Sequence, residues 1–345
     1  MHPSIKILLW SCKSLGYNFS LIDNTSNNLF RITDWINFFF SNWYPINKSI
    51  SSSVISDKAY CYKILDTYNF KIPKWKDFIL KNNYDSHKSN NNDHKDITKY
   101  AKKIWYPVFI KPNNWSFWKW AEVIYNKKEL INHLKILNKN FDICLVQKYI
   151  RSPEYRIFVV NWEIQFSYKR NAASIKWDGL SSINKLLKKS WNSKFKKSTF
   201  FLQELKNNNL DINTILPVNQ SVILHSKTNI SAGWNISELQ TKHGKKVTKW
   251  VKNIVWTFDI WVTWIDIFAP KWINSPKNFI VIELNSKPGL LGIYNLGYKK
   301  LVHNVWKKIL ESYFWIENKY KRKYRNISNI KNTDKKKYKK IKSSI

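Results

Sequence analysis

Glycine is nearly missing from this chain. There are 7 in 345 residues, against an average usage of about 7%. Cysteine is rarer still: Cys12, Cys61 and Cys144 stand far apart. That excludes a disulfide framework and cysteine metal spacing, and it fits a reducing cytoplasm, where we expect the protein to work. The seven histidines show no metal-binding spacing either. No apolar run approaches a membrane span, and Ile7 to Trp10 is too short for a signal-peptide core. Negative charge is sparse, with 23 acidic against 59 basic residues and a formal net charge of +36. Such a balance invites a nucleic-acid or anionic-surface partner. Only six of the basic residues are arginine, however, and Lys, Asn and Ile all abound. Codon drift in an AT-rich genome explains much of this charge without a partner. Three of the six arginines, Arg151, Arg156 and Arg170, fall within one stretch. Arginine kept in a lysine-drifted chain points to bidentate anion contacts.

Against these absences stands one compact motif. Phe279 to Asn285 is apolar until its end, where Glu283 and Asn285 alternate with Ile282 and Leu284. Residues two apart share one face of a strand. Asp266 lies in a second short apolar run, Ile265 to Phe268, and Pro270 to Asn278 reads as the hairpin loop between them. Two carboxylates and an amide oxygen on adjacent strands suit hard Mg²⁺ ions carrying a nucleotide's phosphates. A solvated strand face is the plainer alternative.

Other segments supply what a nucleotide site needs. Tyr106 to Pro112 is a buried strand ending in Lys111, followed by a polar loop and a returning strand, Ala121 to Tyr125. Ser56 or Asp57 can cap a helix that carries Lys58, with Cys61, Ile64, Leu65 and Tyr68 as its apolar stripe. Leu145 to Ile150 is a further strand, and Ser152-Pro153-Glu154-Tyr155-Arg156 comes after it. Near the start, Ile5 to Trp10 and Asn18 to Ile22 read as short strands around a turn. Asn82 to Lys99 is a polar surface loop. Tyr298 to Phe314 is an amphipathic helix, and residues 317 to 345 are a basic, solvated tail.

In that order these pieces resemble the ATP-grasp superfamily of carboxylate–amine ligases, from about Asp57 to Tyr313. The resemblance implies an α+β fold, with two α/β subdomains gripping ATP behind a small α/β pre-ATP-grasp domain. The corresponding division is 1–55 for the leading unit, 56–144 and 145–315 for the two ATP-grasp subdomains, and 316–345 for the tail. Arg170 to Asn192 and the Asn229 to Trp234 loop look most like cyanophycin synthetase. The ATP-grasp half of bifunctional glutathione synthetases shares these segments. A D-alanine–D-alanine-type ligase is a further alternative.

The match is broken in a regular way. Trp105, Trp115, Trp118, Trp120, Trp177, Trp234 and Trp264 stand where the resembled family carries glycine. There are 19 tryptophans, and reading each as glycine would restore an ordinary glycine content. Some bacterial lineages read the UGA codon as glycine, and a translation table reading it as tryptophan would write this sequence. If the tryptophans are real, the alternatives are an aromatic-rich nucleic-acid-binding protein and an inactive nucleotide binder.

The resemblance also implies roles. Lys58, Lys111 and Ser116 would contact the phosphates of ATP, Gln147 and Lys148 would face the adenine, and Glu154 the ribose. Asp266, Glu283 and Asn285 would hold two Mg²⁺ ions, with Mn²⁺ able to substitute. Arg170 and the backbone at Gly233 would stabilise a tetrahedral oxyanion, and Asp178 and Asn229 would meet the substrate. Arg156 reads as the partner of a structural carboxylate, and Asp178 could equally be a turn residue before Gly179. Substrates would be amino acids or short peptides, with no membrane partner, nucleic acid set aside and homo-oligomers left open.

Overall fold

The computed structural model describes residues 3–22, 29–32, 37–40, 46–80, 94–114, 120–172, 174–176, 178–189, 198–215, 217–218, 220–224, 235–270 and 275–315. By contact the chain forms two compact units, 1–48 with 287–345, and 49–286.

The first unit opens with a helix, α1 (Pro3–Ser14). Ile5 to Trp10, expected as a strand, lies inside it. Ile5, Leu8, Leu9 and Cys12 are buried at helical spacing, which a short apolar run conceals when read alone. Strands β1 (Phe19–Leu21), β2 (Leu29–Ile32) and β3 (Asn37–Phe40) then pair antiparallel in that order.

The second unit begins with helices α2 (Ser49–Ser56) and α3 (Lys58–Thr67). Asp57 separates them, and its carboxylate accepts from the Tyr60 amide at 2.9 Å as an N-cap. The buried stripe of α3 is Ala59, Cys61, Tyr62 and Leu65. Tyr68, expected on that stripe, is exposed, and Tyr62 fills the core instead. Next come β4 (Trp75–Ile79), α4 (His94–Ile104), β5 (Val108–Pro112), β6 (Glu122–Ile124), α5 (Lys127–Asn140) and β7 (Ile143–Lys148). The strands make a four-stranded antiparallel sheet in the order β4-β7-β5-β6. One face of it packs on α4 and α5 through Phe78, Ile97, Ala101, Val108, Ile110, Leu130, Leu134 and Val146. Helix α5 is fixed at its start by a reciprocal cap. Asn126 accepts from the Glu129 amide, and Glu129 accepts from the Tyr125 amide and the Asn126 side chain.

The chain continues through β8 (Glu154–Val160), β9 (Glu163–Asn171), β10 (Ser174–Lys176), α6 (Ile183–Lys189), α7 (Thr199–Asn207), β11 (Ser221–Ile223), β12 (Asn235–Gln240), α8 (Lys245–Thr257), β13 (Val262–Phe268) and β14 (Ile280–Asn285). Five strands form an antiparallel sheet ordered β12-β9-β8-β13-β14. A small module of β10, β11, α6 and α7 has its own core around Ile183, Leu187, Phe201 and Leu224. The back of the large sheet packs on α8 and α3 through Tyr155, Ile157, Val159, Ile265, Ile267, Val251 and Ile254. Helix α9 (Leu291–Asn295) and the helical residues 299–315 return the chain to the first unit.

A bulge in β14 sets the face on which Glu283 stands. Asp266 pairs with Glu283, but the next residue, Ile267, pairs with Val281, so Ile282 has no partner in the ladder. Val281 and Leu284 are three apart and would face opposite sides of a regular strand. The bulge lets both enter the same core while Glu283 stays opposite Asp266 on the front.

No helix among the described residues is long and apolar enough to cross a membrane. Ile157 is fully buried and Leu180 is 84% exposed. Ile157→Ala should therefore cost about 2–5 kcal/mol, and Leu180→Ala less than about 0.5 kcal/mol. Denaturant midpoints of the two variants test this, and equal shifts would contradict the assigned core.

Candidate functional site

The front of the five-stranded sheet carries a layer of charge. Register places Glu154 opposite Arg170, and Arg156 opposite Asp266. Arg156 donates both arms of its guanidinium to the Asp266 carboxylate, at 2.6 and 2.5 Å. Arg170 bridges Glu154 and the same Asp266, the latter at 3.0 Å. Glu154, Arg170 and Asp266 are all buried. Burial opposes ionisation of Asp266, but Arg156 and Arg170 outweigh it and hold the carboxyl below the usual carboxylate range. Arg156 thus pairs with a carboxylate, as its sequence setting implied. The partner, though, is an expected metal ligand.

Asp266, Glu283 and Asn285 share this front face, since Glu283 is the register partner of Asp266 and Asn285 that of Trp264. Glu283 thus stands beside the Asp266 carboxyl. Trp264 is buried on the same face, its ring 4.4 Å from that of Phe158 and 5.3 Å from the Arg156 guanidinium carbon.

Two lysines reach the same place from the other sheet and from α3. Lys111, the penultimate residue of β5, is buried, with its ammonium donating to the Tyr62 hydroxyl at 3.3 Å. Burial pushes its pKa down, opposed chiefly by Glu283 and also by Asp266. Lys58, the first residue of α3, is likewise pushed down by burial, with Glu283 opposing and Lys111 reinforcing. Its ammonium donates to the Asn113 carbonyl at 3.1 Å. Asn113 is a site residue that sequence reading passed over as part of a polar loop. It is buried, its amide oxygen accepts from the Ala59 N–H at 2.8 Å, and its amide nitrogen donates to Asp57 at 2.7 Å. It ties the end of β5 to the start of α3, and nothing in its sequence setting signals this.

Gln147 and Lys148, expected together, diverge. Gln147 is buried, its amide hydrogen-bonds the Tyr62 phenol, and its Oε1 has no partner among the described residues. An orphaned buried acceptor costs about 1–3 kcal/mol and marks a place for a ligand's N–H. The Ser152 hydroxyl, just past the same strand, is orphaned in the same way. The Lys148 ammonium instead donates to the Trp105 carbonyl at 2.9 Å, because successive residues of a strand face opposite sides. Glu154, expected at a ribose, is held by Arg170. Asp178 sits in an exposed turn whose carboxylate accepts from the Leu180 and Ser181 amides at 2.9 and 2.7 Å. Those two amides draw its pKa down to about 2. Its neighbour Gly179 has φ +78, and a Cβ there would sit 2.7 Å from Val218. Ser116, Asn229 and Gly233 lie outside the described residues, as do Trp115, Trp118, Trp177 and Trp234.

The donor set fits a hard divalent cation in its chemistry: two carboxylates and an amide oxygen on one face. Among the described residues no three His, Cys, Asp or Glu gather as a metal cluster. Mg²⁺ here would rely on Asn285 as the third protein oxygen and would compete with Arg156 for Asp266.

No family model matches the chain. A glutathione biosynthesis bifunctional protein GshAB from Streptococcus agalactiae is 23% identical over 315 residues, 84% of this chain and 40% of that protein. A second, from Clostridium perfringens, is 24% identical over 287 residues, 77% of this chain and 35% of its own. Among solved structures, a bifunctional glutathione synthetase from Pasteurella multocida superposes with a TM-score of 0.51 at 19% identity, over 84% of this chain and 41% of that one. The fold is ATP-grasp-like. The α+β architecture expected from the resemblance is therefore present. The chain spans about two fifths or less of the length of these curated relatives. Their names concern glutathione, the alternative in the sequence reading, rather than cyanophycin.

Within the ATP-grasp-like sheet the charge layer should dominate acid stability. Arg156→Met leaves Asp266 with Arg170 alone and should cost up to about 3–5 kcal/mol, partly recovered by adding Asp266→Leu. The lowered pKa of Asp266 has a defined sign. Its contribution is whole above the unfolded value near pH 4 and is lost as pH falls through the lower folded-state value. Thermal unfolding between pH 7 and 2 should show a flatter acid limb for Asp266→Asn than for the unmodified chain. Parallel limbs would remove Asp266 from this role.

Proposed function

We infer that the chain is an ATP-dependent carboxylate–amine ligase of the glutathione-synthetase type, joining a short-peptide carboxylate to an amino-acid amine. The observation that carries this reading is the convergence of Lys58, Lys111, Arg156 and Arg170 on Glu154, Asp266 and Glu283. Four cations gathered at one place are what a site for a polyphosphate requires. The ATP-grasp-like fold and the glutathione-biosynthesis relatives support the same class. The cyanophycin-synthetase-like reading rests on the sequence of Arg170 to Asn192 and of Asn229 to Trp234.

In this proposal Lys58 and Lys111 neutralise the phosphates of ATP, and the backbone from 114 to 120, with Ser116, covers them. The orphaned Gln147 Oε1 accepts from the adenine amine, and Ser152 and Glu154 line the ribose side. Asp266, Glu283 and Asn285 would hold two Mg²⁺ ions, or Mn²⁺, whose chemistry is to offset the charge that builds on the phosphates. The substrate carboxylate attacks the γ-phosphate, releasing ADP and becoming an acylphosphate. The amine then attacks that carbonyl, and phosphate leaves with the C–O electron pair. Arg170, held in place by Glu154 and Asp266, stabilises the oxyanion between these steps, a role the sequence resemblance also gives to Gly233. Asp178 and Asn229 remain candidates for substrate contact. Residues 56–144 and 145–315 would be the two gripping subdomains.

ATP with a panel of amino acids and γ-glutamyl peptides should give ADP only when an acid substrate is present, and hydroxylamine should trap the acylphosphate as a hydroxamate. Glu283→Ala should fold yet lose ATP turnover, and unchanged turnover with Mg²⁺ would remove Glu283 from the metal site. Lys111→Met should weaken nucleotide binding at least tenfold. Anion binding raises the lowered pKa values of Lys58 and Lys111, so at alkaline pH, where these lysines begin to lose protons, calorimetric titration with ATP in buffers of different ionisation enthalpy should show proton uptake. Proton release would contradict the role of these lysines.

A further inference from the structure

We propose that positions 105 and 162 carry glycine in the protein its own cell makes, and that the tryptophans written there are codons read by the wrong table. Backbone conformation alone points to this. Among the described residues, seven that are not glycine have positive φ: Asn69, Trp105, Asn161, Trp162, Asn209, Glu238 and Asp259. Four are Asn or Asp, whose short polar side chains tolerate this region. Glu238 sits at a bulge in β12 and its carboxylate is held by Tyr155 and Lys169. The two tryptophans have no such excuse. An indole cannot hydrogen-bond its own peptide group, and its Cβ meets the full left-handed penalty.

Each lies at a backbone site that chemistry reserves for glycine. Trp105, at φ +68, directly succeeds helix α4, and its N–H donates back to the Lys102 carbonyl at 3.2 Å. Tyr106-Pro107 comes next. A left-handed residue closing a helix, with proline soon after, is the glycine C-cap arrangement. The Trp105 side chain is 76% exposed, so packing does not offset the conformation. Trp162, at φ +61, comes after Asn161 at φ +51. Together they form the two-residue turn between β8 and β9, where Val160 pairs with Glu163. Positive φ at both central positions defines the type I′ hairpin turn, whose favoured sequence is Asn-Gly. The ring contacts of Trp162 are to Trp256 and Trp261, residues open to the same substitution. Trp264 gives a useful contrast, since its extended strand backbone accepts any residue and makes no demand for glycine.

The consequence reaches the site. If one codon is misread at 105 and 162, the same codon at Trp115, Trp118 and Trp120, shortly after Lys111, encodes glycine too.

The test is tandem mass spectrometry of tryptic peptides spanning 105 and 162, from protein purified from its own cells. Glycine at both is the expected result, and tryptophan at either overturns the proposal. An independent measurement uses recombinant protein carrying tryptophan throughout. Trp105→Gly with Trp162→Gly should raise the thermal midpoint by roughly 5 °C, and an unchanged or lowered midpoint would also overturn it. Neither readout depends on catalysis, so failure of the ligase reading would leave this inference standing.

Discussion

Two guanidiniums and two carboxylates, locked together on the front of one sheet, set the terms for everything around them. Taking these charges out of water costs several kcal/mol each. Only mutual pairing at hydrogen-bond distance makes the burial tolerable. Asp266 accepts from both Arg156 and Arg170, so removing it would strand Arg156 and leave Arg170 with Glu154 alone. The apolar residues behind the sheet, Ile157, Ile265 and Val281 among them, then do a second task besides stabilising the fold. They hold β8, β13 and β14 in the single register that puts these side chains within reach.

That register was only partly legible in the sequence. The strands ending in Lys111, Gln147 and Glu283 could be read because each is an apolar run that stops at a polar residue. The helix after Asp57 could be read from its cap. What could not be read was cross-strand pairing. Whether Glu154 meets a ribose or Arg170 depends on the two-residue turn at Asn161 and on a register shift beside Phe158, and the apolar pattern of the strands signals neither. Ile5 to Trp10 went astray for a simpler reason, since a short apolar run fits a strand or a helix equally. Lys148 was grouped with Gln147 by adjacency, although a pleated strand separates neighbours.

The tryptophans mark where sequence and backbone disagree most openly. Composition alone raises the question, because glycine is so scarce. The family resemblance sharpens it at motif positions, but several of those lie outside the described residues. Backbone angles answer at one of the motif positions, Trp105 at a helix end, and at one more, Trp162 in a hairpin turn. These are places where hard-sphere sterics, rather than analogy, select the residue.

Asn113 has a mechanical meaning beyond its hydrogen bonds. With one amide group it joins the end of a strand to the first turn of a helix, and its own carbonyl holds the Lys58 ammonium. The two lysines are consequently not independent arms that must each be recruited when a polyanion arrives. They are mounted on one rigid bracket, assembled when the chain folds. The ordering entropy of a two-point grip is met at that stage, and an incoming ligand has correspondingly less of it to overcome.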